Sequence, residues 1–232
     1  MKQKGMILGA GFGTRLKPLT DNIPKALVEY KGKPMVVHQI ERLKKLGVDE
    51  IIVNAHHFAG KMESFFNENN FGVKIILVSE DKILGTGGGI LNVEEYLKNS
   101  DYFWVINADI DTDFDLNLMR EEWEKEKPLA MLLVQKRKTS RYLGFDENMN
   151  LLKRAKWSET GLKPDGTDPN AFIFAFNGIH IISPRIFDKE IKVEFKDIIE
   201  MYIKLSKEGE KIKGFDAGNS SFKDLGKIED LV

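Results

Sequence analysis

The sequence predicts an α/β fold built on a mixed, mainly parallel central sheet. Three observations predict it. Short apolar runs bounded by turn residues recur along residues 1–136, amphipathic stretches at helical spacing separate them, and the 232-residue chain is long enough to bury a full core. Strand–helix alternation of this kind makes βαβ units, whose strands are covered on both faces and read as continuous apolar runs.

The elements follow in order. "MILGA" (6–10) is a short buried strand. "PMVVHQIERLKKLG" (34–47) sets Val36, Ile40 and Leu43 at helical spacing, with Pro34 suited to the start and Gly47 to the stop. "EIIVNA" (50–55) is a second strand, "KMESFFNENN" (61–70) a short helix and "VKIILVS" (73–79) a third strand. After the loop "EDKILGTGGG" (80–89) come the helix "ILNVEEYLK" (90–98) and a fourth strand, "YFWVINA" (102–108), which ends in an acidic turn. "LNLMREEWEKEK" (116–127) is a helix and "LAMLLVQ" (129–135) a fifth strand. Beyond residue 136 the pieces shorten. "YLGFD", "LLKRAKW", "AFIFAF" and "GIHIIS" surround the turn "KPDGTDPN" and predict antiparallel additions. The tail reads as helix in "FKDIIEMYIKLSKEG", strand in "KIKGFDA" and a last helix near Gly226. With no linker or repeat, residues 1–232 are expected to form one domain, its halves 1–136 and 137–232 serving different parts of one site.

Composition excludes several functions. The 35 Lys and Arg against 36 Asp and Glu leave a net charge of −1, so no basic field points to nucleic acid. The absence of cysteine removes disulfides, thiolate metal sites and a thiol nucleophile. No run approaches the roughly 18 apolar residues of a membrane helix, and glycine breaks the N-terminal run too early for a signal segment. A cytoplasmic protein without membrane attachment is expected; the oligomeric state stays open.

In an open α/β sheet, ligands bind beyond the carboxyl ends of the strands. Three unusual segments follow strands at that edge: "LGAGFGTR" after the first, "LGTGGG" after the third and "NADID" after the fourth. Gly9, Gly11 and Gly13 permit close backbone approach to an anion, with Leu8 and Ala10 between or before them and Thr14 after. The G-x-G-x-G spacing is not the dinucleotide G-x-G-x-x-G, and no P-loop Gly-Lys-Ser/Thr follows. Arg15 supplies a planar, permanently charged fork, and Lys25 follows the rigid Pro24. Two cations and a ring of N–H groups suit a triphosphate. Asp109, Asp111, Asp113 and Asp115 crowd one turn and Asp224 lies far downstream; Mg2+ takes one or two carboxylates plus substrate phosphates. Asp113 or Asp115 suits a helix cap, and Asp111 reads as solvated. His38, His56, His57 and His180 read as structural.

The string from Leu8 to Val53 resembles the N-terminal signature of the sugar-phosphate nucleotidyltransferases, G-x-G-[ST]-R-[LM]-x-P-[LM]-T followed by P-K-[AP]. Gly11, Gly13, Thr14, Arg15, Leu16, Pro18, Leu19, Thr20, Pro24, Lys25 and Ala26 carry the match. "LGTGGGI", "NADI", "FNGIHIIS" and "DLGK" extend it along most of the chain. The resemblance implies a Rossmann-like three-layer sandwich of the nucleotide-diphospho-sugar transferase type, and an enzyme in which an NTP and a sugar 1-phosphate give an NDP-sugar and pyrophosphate. It implies that Arg15 supports the departing pyrophosphate and that Lys25 binds phosphate near the reacting centre. It implies that Asp109 and Asp224 hold Mg2+, and that Gly85 and Thr86, with Glu80 before them, meet the base. On the sugar side it suggests Asn107, Tyr142 or Gly144, and Asn177 with Gly178. Where relatives carry Glu-Lys-Pro this chain reads "AKWSETGLKP", leaving Glu159 or Lys163 as substitutes.

The layout is most similar to the N-acetylmuramate-1-phosphate uridylyltransferases, which serve the cell envelope. Mannose-1-phosphate (or heptose-1-phosphate) guanylyltransferases come next and choline-phosphate cytidylyltransferases third. Two other classes compete: a glycosyltransferase using Asp109-Ile110-Asp111 as D-x-D, and a non-catalytic sensor. The first leaves the G-F-G-T-R loop unexplained, and the second would be expected to have lost Arg15, Lys25 or the aspartate pair.

Overall fold

The computed structural model describes residues 3–157, 164–165 and 172–231. In chain order its elements are β1 (Lys4–Leu8), β2 (Glu29–Tyr30), β3 (Lys33–Pro34), α1 (Met35–Lys45), β4 (Glu50–Ala55), α2 (Ala59–Glu68) and β5 (Lys74–Ser79). Then come α3 (Gly85–Leu91), α4 (Glu94–Leu97), β6 (Phe103–Asn107), β7 (Ile110–Thr112), α5 (Leu116–Glu126), β8 (Ala130–Gln135), β9 (Tyr142–Phe145) and β10 (Leu151–Trp157). The chain closes with β11 (Pro164–Asp165), β12 (Phe172–Ile182), α6 (Ile198–Lys207), β13 (Ile212–Asp216) and β14 (Phe222–Asp224).

The sheet is mixed and mainly parallel. β5, β4, β1 and β6 lie side by side and parallel. β12 then runs antiparallel to β6 on one side and to β8 on the other, so β8 keeps the direction of β1, and β13 pairs parallel with β8. The fifth strand of the sequence reading thus has the expected direction, but a strand from far downstream separates it from the fourth. The first half of β12 also pairs with β9, which carries β10 and β11 outward as antiparallel additions. Residues 172–182 of "AFIFAF" and "GIHIIS" form one strand, whose register against β8 shifts between Phe176 and His180, where Gly178 has a φ of +73°.

Strand side chains alternate between two cores. Met6, Ile52, Val105 and Leu132 face Ile90 and Leu91 of α3, Leu97 of α4 and Tyr202 of α6. Ile7, Ile51, Trp104 and Met131 face Ile40 and Leu43 of α1, Met62 of α2 and Trp123 of α5. Helices on both faces of one sheet make the three layers expected. A smaller cluster of Leu16, Val28, Tyr30, Met35 and Leu225 folds the long segment after β1 against the C-terminal end of the chain.

Local chemistry sets the helix ends. Asp115 caps α5, its Oδ1 accepting from the Asn117 backbone N–H at 3.0 Å. Asp115→Ala is expected to lower stability by about 1 kcal/mol without touching activity, measured by urea unfolding against turnover. α3 departs from the reading: the helix begins inside the glycine run, at Gly85, rather than after it. The final segment makes only a short 3-10 turn, Ile228–Leu231.

Candidate active site

The parallel strands deliver three loops to one edge, as the sequence suggested, and side chains lock them together. Gly9 donates its N–H to Asn54 Oδ1 at 2.8 Å. Asn54 Nδ2 donates to Glu80 Oε1 at 2.7 Å, and Glu80 Oε2 accepts from the Leu84 N–H at 3.0 Å. Asn54 and Glu80 are both buried. This relay joins the loop after β1 to the loop before α3, through a residue at the end of β4. Glu80 therefore holds the loops in register, and it lines neither of the cavities described below.

The three glycines of the first loop have different causes. A Cβ at Gly9 would stand 2.8 Å from the Asn54 carbonyl oxygen. Gly13 has a φ of +64°, and a Cβ there would meet Thr20 Cγ2 at 2.9 Å. At Gly11 nothing lies within 4 Å, so the chain's own packing does not require that glycine; it leaves backbone bare at the mouth of a cavity.

That cavity, of about 280 Å3, is walled by Leu8, Gly9, Ala10, Gly11, Lys25, Gly85, Thr86, Asn107 and Asp109, together with Ala26, Asn54, Ile83 and Ala108. A second cavity of about 210 Å3 adjoins it. Thr86, Asn107 and Asp109 line both. The second cavity also takes in Asn177, Gly178 and Asp224, with Arg137, Arg141, Arg154 and His180. Asn107 stands at the junction because Gly178 makes room for it: a Cβ there would lie 2.6 Å from Asn107 Nδ2.

Asp109 and Asp224, 115 residues apart in sequence, are brought together by backbone. β14 pairs antiparallel with β7, setting Asp224 opposite Ile110, and the Leu225 N–H donates to the Asp109 carbonyl at 2.7 Å. From behind, Gln39 on α1 donates to the Ile110 carbonyl at 2.7 Å, and Arg42 to the Thr112 carbonyl at 2.9 Å. The acidic turn is thus fixed before any ligand arrives. Lys25 Nζ pairs with Asp109 Oδ2. Arg15 Nη2 lies 4.0 Å from Asp224 Oδ1, both side chains more than half exposed. Gly226 makes this approach possible, since a Cβ there would come within 2.5 Å of Arg15 Nη2.

Asp111 differs from its sequence reading. It is not a free solvated acid: Tyr30 donates to its Oδ2 at 2.9 Å, Lys31 at 2.8 Å, and Arg42 lies 3.6 Å from Oδ1. Burial raises its pKa, but the hydrogen bonds from Lys31 and Tyr30 outweigh burial and leave it below the usual carboxylate range. Held by these three partners, Asp111 is ill placed to act with Asp109 as a D-x-D pair. Asp113 accepts from the Ser221 N–H at 2.8 Å, which ties β7 to the segment before β14.

The glycines of "GTGGG" have a reason the sequence did not disclose. Residues 194–198 lie directly against α3: Lys196 N–H donates to the Leu84 carbonyl and Gly87 N–H to the Lys196 carbonyl, both at 2.9 Å. The Thr86 hydroxyl accepts from the Ile198 N–H at 3.0 Å. Only helix backbone fits there; a Cβ at Gly88 would come 2.1 Å from the Glu194 carbonyl oxygen.

Several other candidates line neither cavity. Tyr142 and Gly144 flank Leu143 on β9, and strand alternation sends Leu143, not its neighbours, into the second cavity. Tyr142 instead accepts the Thr139 N–H on its hydroxyl at 3.1 Å. Gly13 and Thr14 shape the first loop without lining either cavity. Glu159 and Lys163 lie outside the described residues. His56 contacts the Glu80 carbonyl and His38 the Tyr30 carbonyl, each at 2.7 Å. His180 is fully buried, its Nδ1 2.7 Å from the Tyr202 hydroxyl, and burial pushes its pKa down to about 3, so it stays neutral near pH 7. Sequence reasoning missed Asn54, Arg137, Arg141 and Arg154. Asn54 ends a buried strand at the ligand edge, a position that could have flagged it.

Among the described residues no three His, Cys, Asp or Glu side chains gather to hold a metal by themselves. The donor set nevertheless suits Mg2+: two hard carboxylates, one just before β7 and one on its partner β14, line a cavity that also holds arginines, and substrate phosphates would supply the remaining oxygens. Asp109 and Asp224 are the residues that would hold it.

The fold and these joined cavities define an α/β protein with a phosphate-type glycine loop, paired cations and paired carboxylates at the carboxyl edge of a mainly parallel sheet. The sequence profile of the nucleotidyl transferase family matches residues 4–232, and the chain belongs to that family. It is 33% identical over 189 residues to a mannose-1-phosphate guanyltransferase of Yarrowia lipolytica, covering 80% of this chain and 50% of that protein. It is 33% identical over 193 residues to mannose-1-phosphate guanylyltransferase 1 of Arabidopsis thaliana, covering 80% and 51%. The chain thus spans about half the length of these curated relatives. The crystal structure of HddC from Yersinia pseudotuberculosis superposes with a TM-score of 0.78 at 25% identity, covering 98% of this chain and 95% of that one. A putative glucose-1-phosphate thymidylyltransferase from Bacillus anthracis shares the fold, with a TM-score of 0.81 at 23% identity, over 99% and 92%. Among the described residues no helix is long and apolar enough to cross a membrane.

Proposed function

We propose that this chain transfers a nucleotidyl group from an NTP to a sugar 1-phosphate, giving an NDP-sugar and pyrophosphate, with GTP and mannose 1-phosphate as the favoured pair. The observation that carries the reading is the junction of the two cavities. A triphosphate on the Gly9–Gly11 backbone and an acceptor phosphate beside Asn177 would meet at Asp109. The names of the relatives favour guanylyl transfer to mannose 1-phosphate over uridylyl transfer to N-acetylmuramate 1-phosphate.

The chemistry asks little of side-chain acids and bases. A phosphate oxygen of the acceptor forms a bond to the α-phosphorus, the bond to the β-phosphate oxygen breaks, and pyrophosphate leaves. The nucleophile is already anionic, so no general base is required, in keeping with a site whose buried His180 stays neutral. Lys25 leaves Asp109 to meet phosphate, and the exposed fork of Arg15 can follow the departing pyrophosphate. Mg2+ bound at Asp109 and Asp224 would neutralise phosphate charge and align the reacting oxygens.

The screening experiment measures pyrophosphate release in Mg2+ with UTP, GTP, CTP and dTTP crossed against mannose, glucose, heptose, N-acetylmuramate and choline phosphates. Release that requires one pair supports the reading and names the substrates; a folded protein that binds NTP yet is silent across the grid opposes it. Arg15→Ala is expected to raise the KM for the NTP about tenfold while leaving that for the acceptor within about twofold. Its melting temperature should hold, because an exposed 4.0 Å pair adds little stability. An unchanged NTP dependence removes Arg15 from this role.

A further inference from the structure

We propose that Arg137 is the fixed cation that receives the acceptor's phosphate in the second cavity. This rests on the nucleotidyl-transfer reading and names a residue that the sequence motifs do not mark.

Arg137 stands two residues past β8, a strand parallel to β1, so it emerges at the same sheet edge as the glycine loop. It is held on three sides. Nε donates to Asn177 Oδ1 at 2.9 Å, Nη2 donates to the Phe176 carbonyl at 2.8 Å, and the guanidinium carbon lies 4.1 Å from the centre of the Phe222 ring. Five N–H donors sit on a guanidinium, and these bonds engage two of its three nitrogens. Nη1 has no hydrogen-bond partner among the described residues, and the group forms no ion pair within 4 Å there. The cavity it lines also contains Asp109 and Asp224, the acids at the reacting end.

A purely structural role accounts poorly for this arrangement. Tying β8 to β12 needs a neutral donor, whereas a half-buried guanidinium gives up hydration with no carboxylate in contact. Burial pushes its pKa down and Asp224 pulls it back, yet an arginine remains charged. The other arginines of the cavity differ. Arg154 is neutralised by Asp197 at 2.7 Å and by Glu200, and Arg141 sits exposed on the rim. Arg137 alone among the three combines fixed position, open charge and proximity to the acids. An anionic phosphate is the group that completes it, and a cation already immobilised loses little further freedom on binding.

The test uses the full chain with Arg137→Gln and Arg137→Lys. At saturating nucleotide, R137Q is expected to raise the acceptor KM roughly 10- to 100-fold, with the nucleotide KM changed less than about twofold, and R137K to recover part of the loss. Calorimetric titration with mannose 1-phosphate reads the same effect without turnover: binding by the parent, loss in R137Q, partial return in R137K. An acceptor KM and a binding isotherm unchanged in R137Q overturn the proposal. So does an equal loss of nucleotide and acceptor binding in both variants, which makes Arg137 an anchor of the fold. A parent protein inactive with every pair refutes the nucleotidyl-transfer reading instead, and that failure is visible before any variant is made.

Discussion

Asp109→Asn is expected to slow turnover about 1,000-fold while the protein stays folded, equivalent to about 4 kcal/mol of transition-state stabilisation. The size follows from position. Among the described residues Asp109 is the one acid that lines both cavities, so its charge would serve the nucleotide and the acceptor together. Its backbone contribution is separate: the carbonyl that accepts from Leu225 persists in the variant. Asparagine keeps an acceptor oxygen for Lys25, so the loss of stability should stay near 1 kcal/mol. The checks are single-turnover rates in Mg2+ and a thermal melt of the same sample. Activity like that of the parent would remove Asp109 from the metal and phosphate site.

Gly88→Ala is the substitution expected to harm stability most. The new methyl would stand 2.1 Å from the Glu194 carbonyl oxygen and 3.1 Å from its carbon. That neighbour is backbone, so relief requires moving either α3 or residues 194–198. The two are joined by three hydrogen bonds of 2.9 to 3.0 Å. Overpacking of this kind costs about 3 kcal/mol or more, a fall of roughly 10 °C in melting temperature for a chain this long. Gly11→Ala is the matched control. With nothing within 4 Å of its Cβ, it should melt within about 1 °C of the parent and weaken nucleotide binding instead. Scanning calorimetry beside nucleotide titration separates the two, and a G88A protein as stable as the parent contradicts the packing account.

The contrast shows what local pattern carries. Much of residues 6–135 was legible because apolar runs and amphipathic stretches report burial directly, and α1, α5 and the five strands stand where the spacing put them. What escaped depends on distant partners. Nothing in "GIHIIS" says that it inserts between β6 and β8, because strand pairing is set by the whole sheet. The two-residue strands β2 and β3 are too short to leave a period. The glycine run 87–89 reads as a ligand loop, yet it answers to residues 194–198 more than 100 positions away, and to Asn54 and Glu80.

Within the site, motif residues came together where backbone places them: the glycine loop, Lys25, and Asp109 beside Asp224. One residue of register decides what lines the second cavity. On β9 the cavity receives Leu143, not Tyr142 or Gly144. Arg137 lies in "QKRKTSR", a stretch that none of the motifs marks; it is the fold that sets its guanidinium over the Phe222 ring. Asp111 looked idle because its partners, Tyr30, Lys31 and Arg42, arrive from another part of the chain.

The most direct measurement follows the phosphorus atoms. GTP labelled with 32P at the α or the γ position is incubated with mannose 1-phosphate, Mg2+ and the full chain, and the products are separated. The α label should appear in the nucleotide sugar and the γ label in pyrophosphate, both dependent on the acceptor. A γ label carried to the acceptor, or α label confined to GTP and its hydrolysis products with every acceptor of the grid, would contradict nucleotidyl transfer at this site.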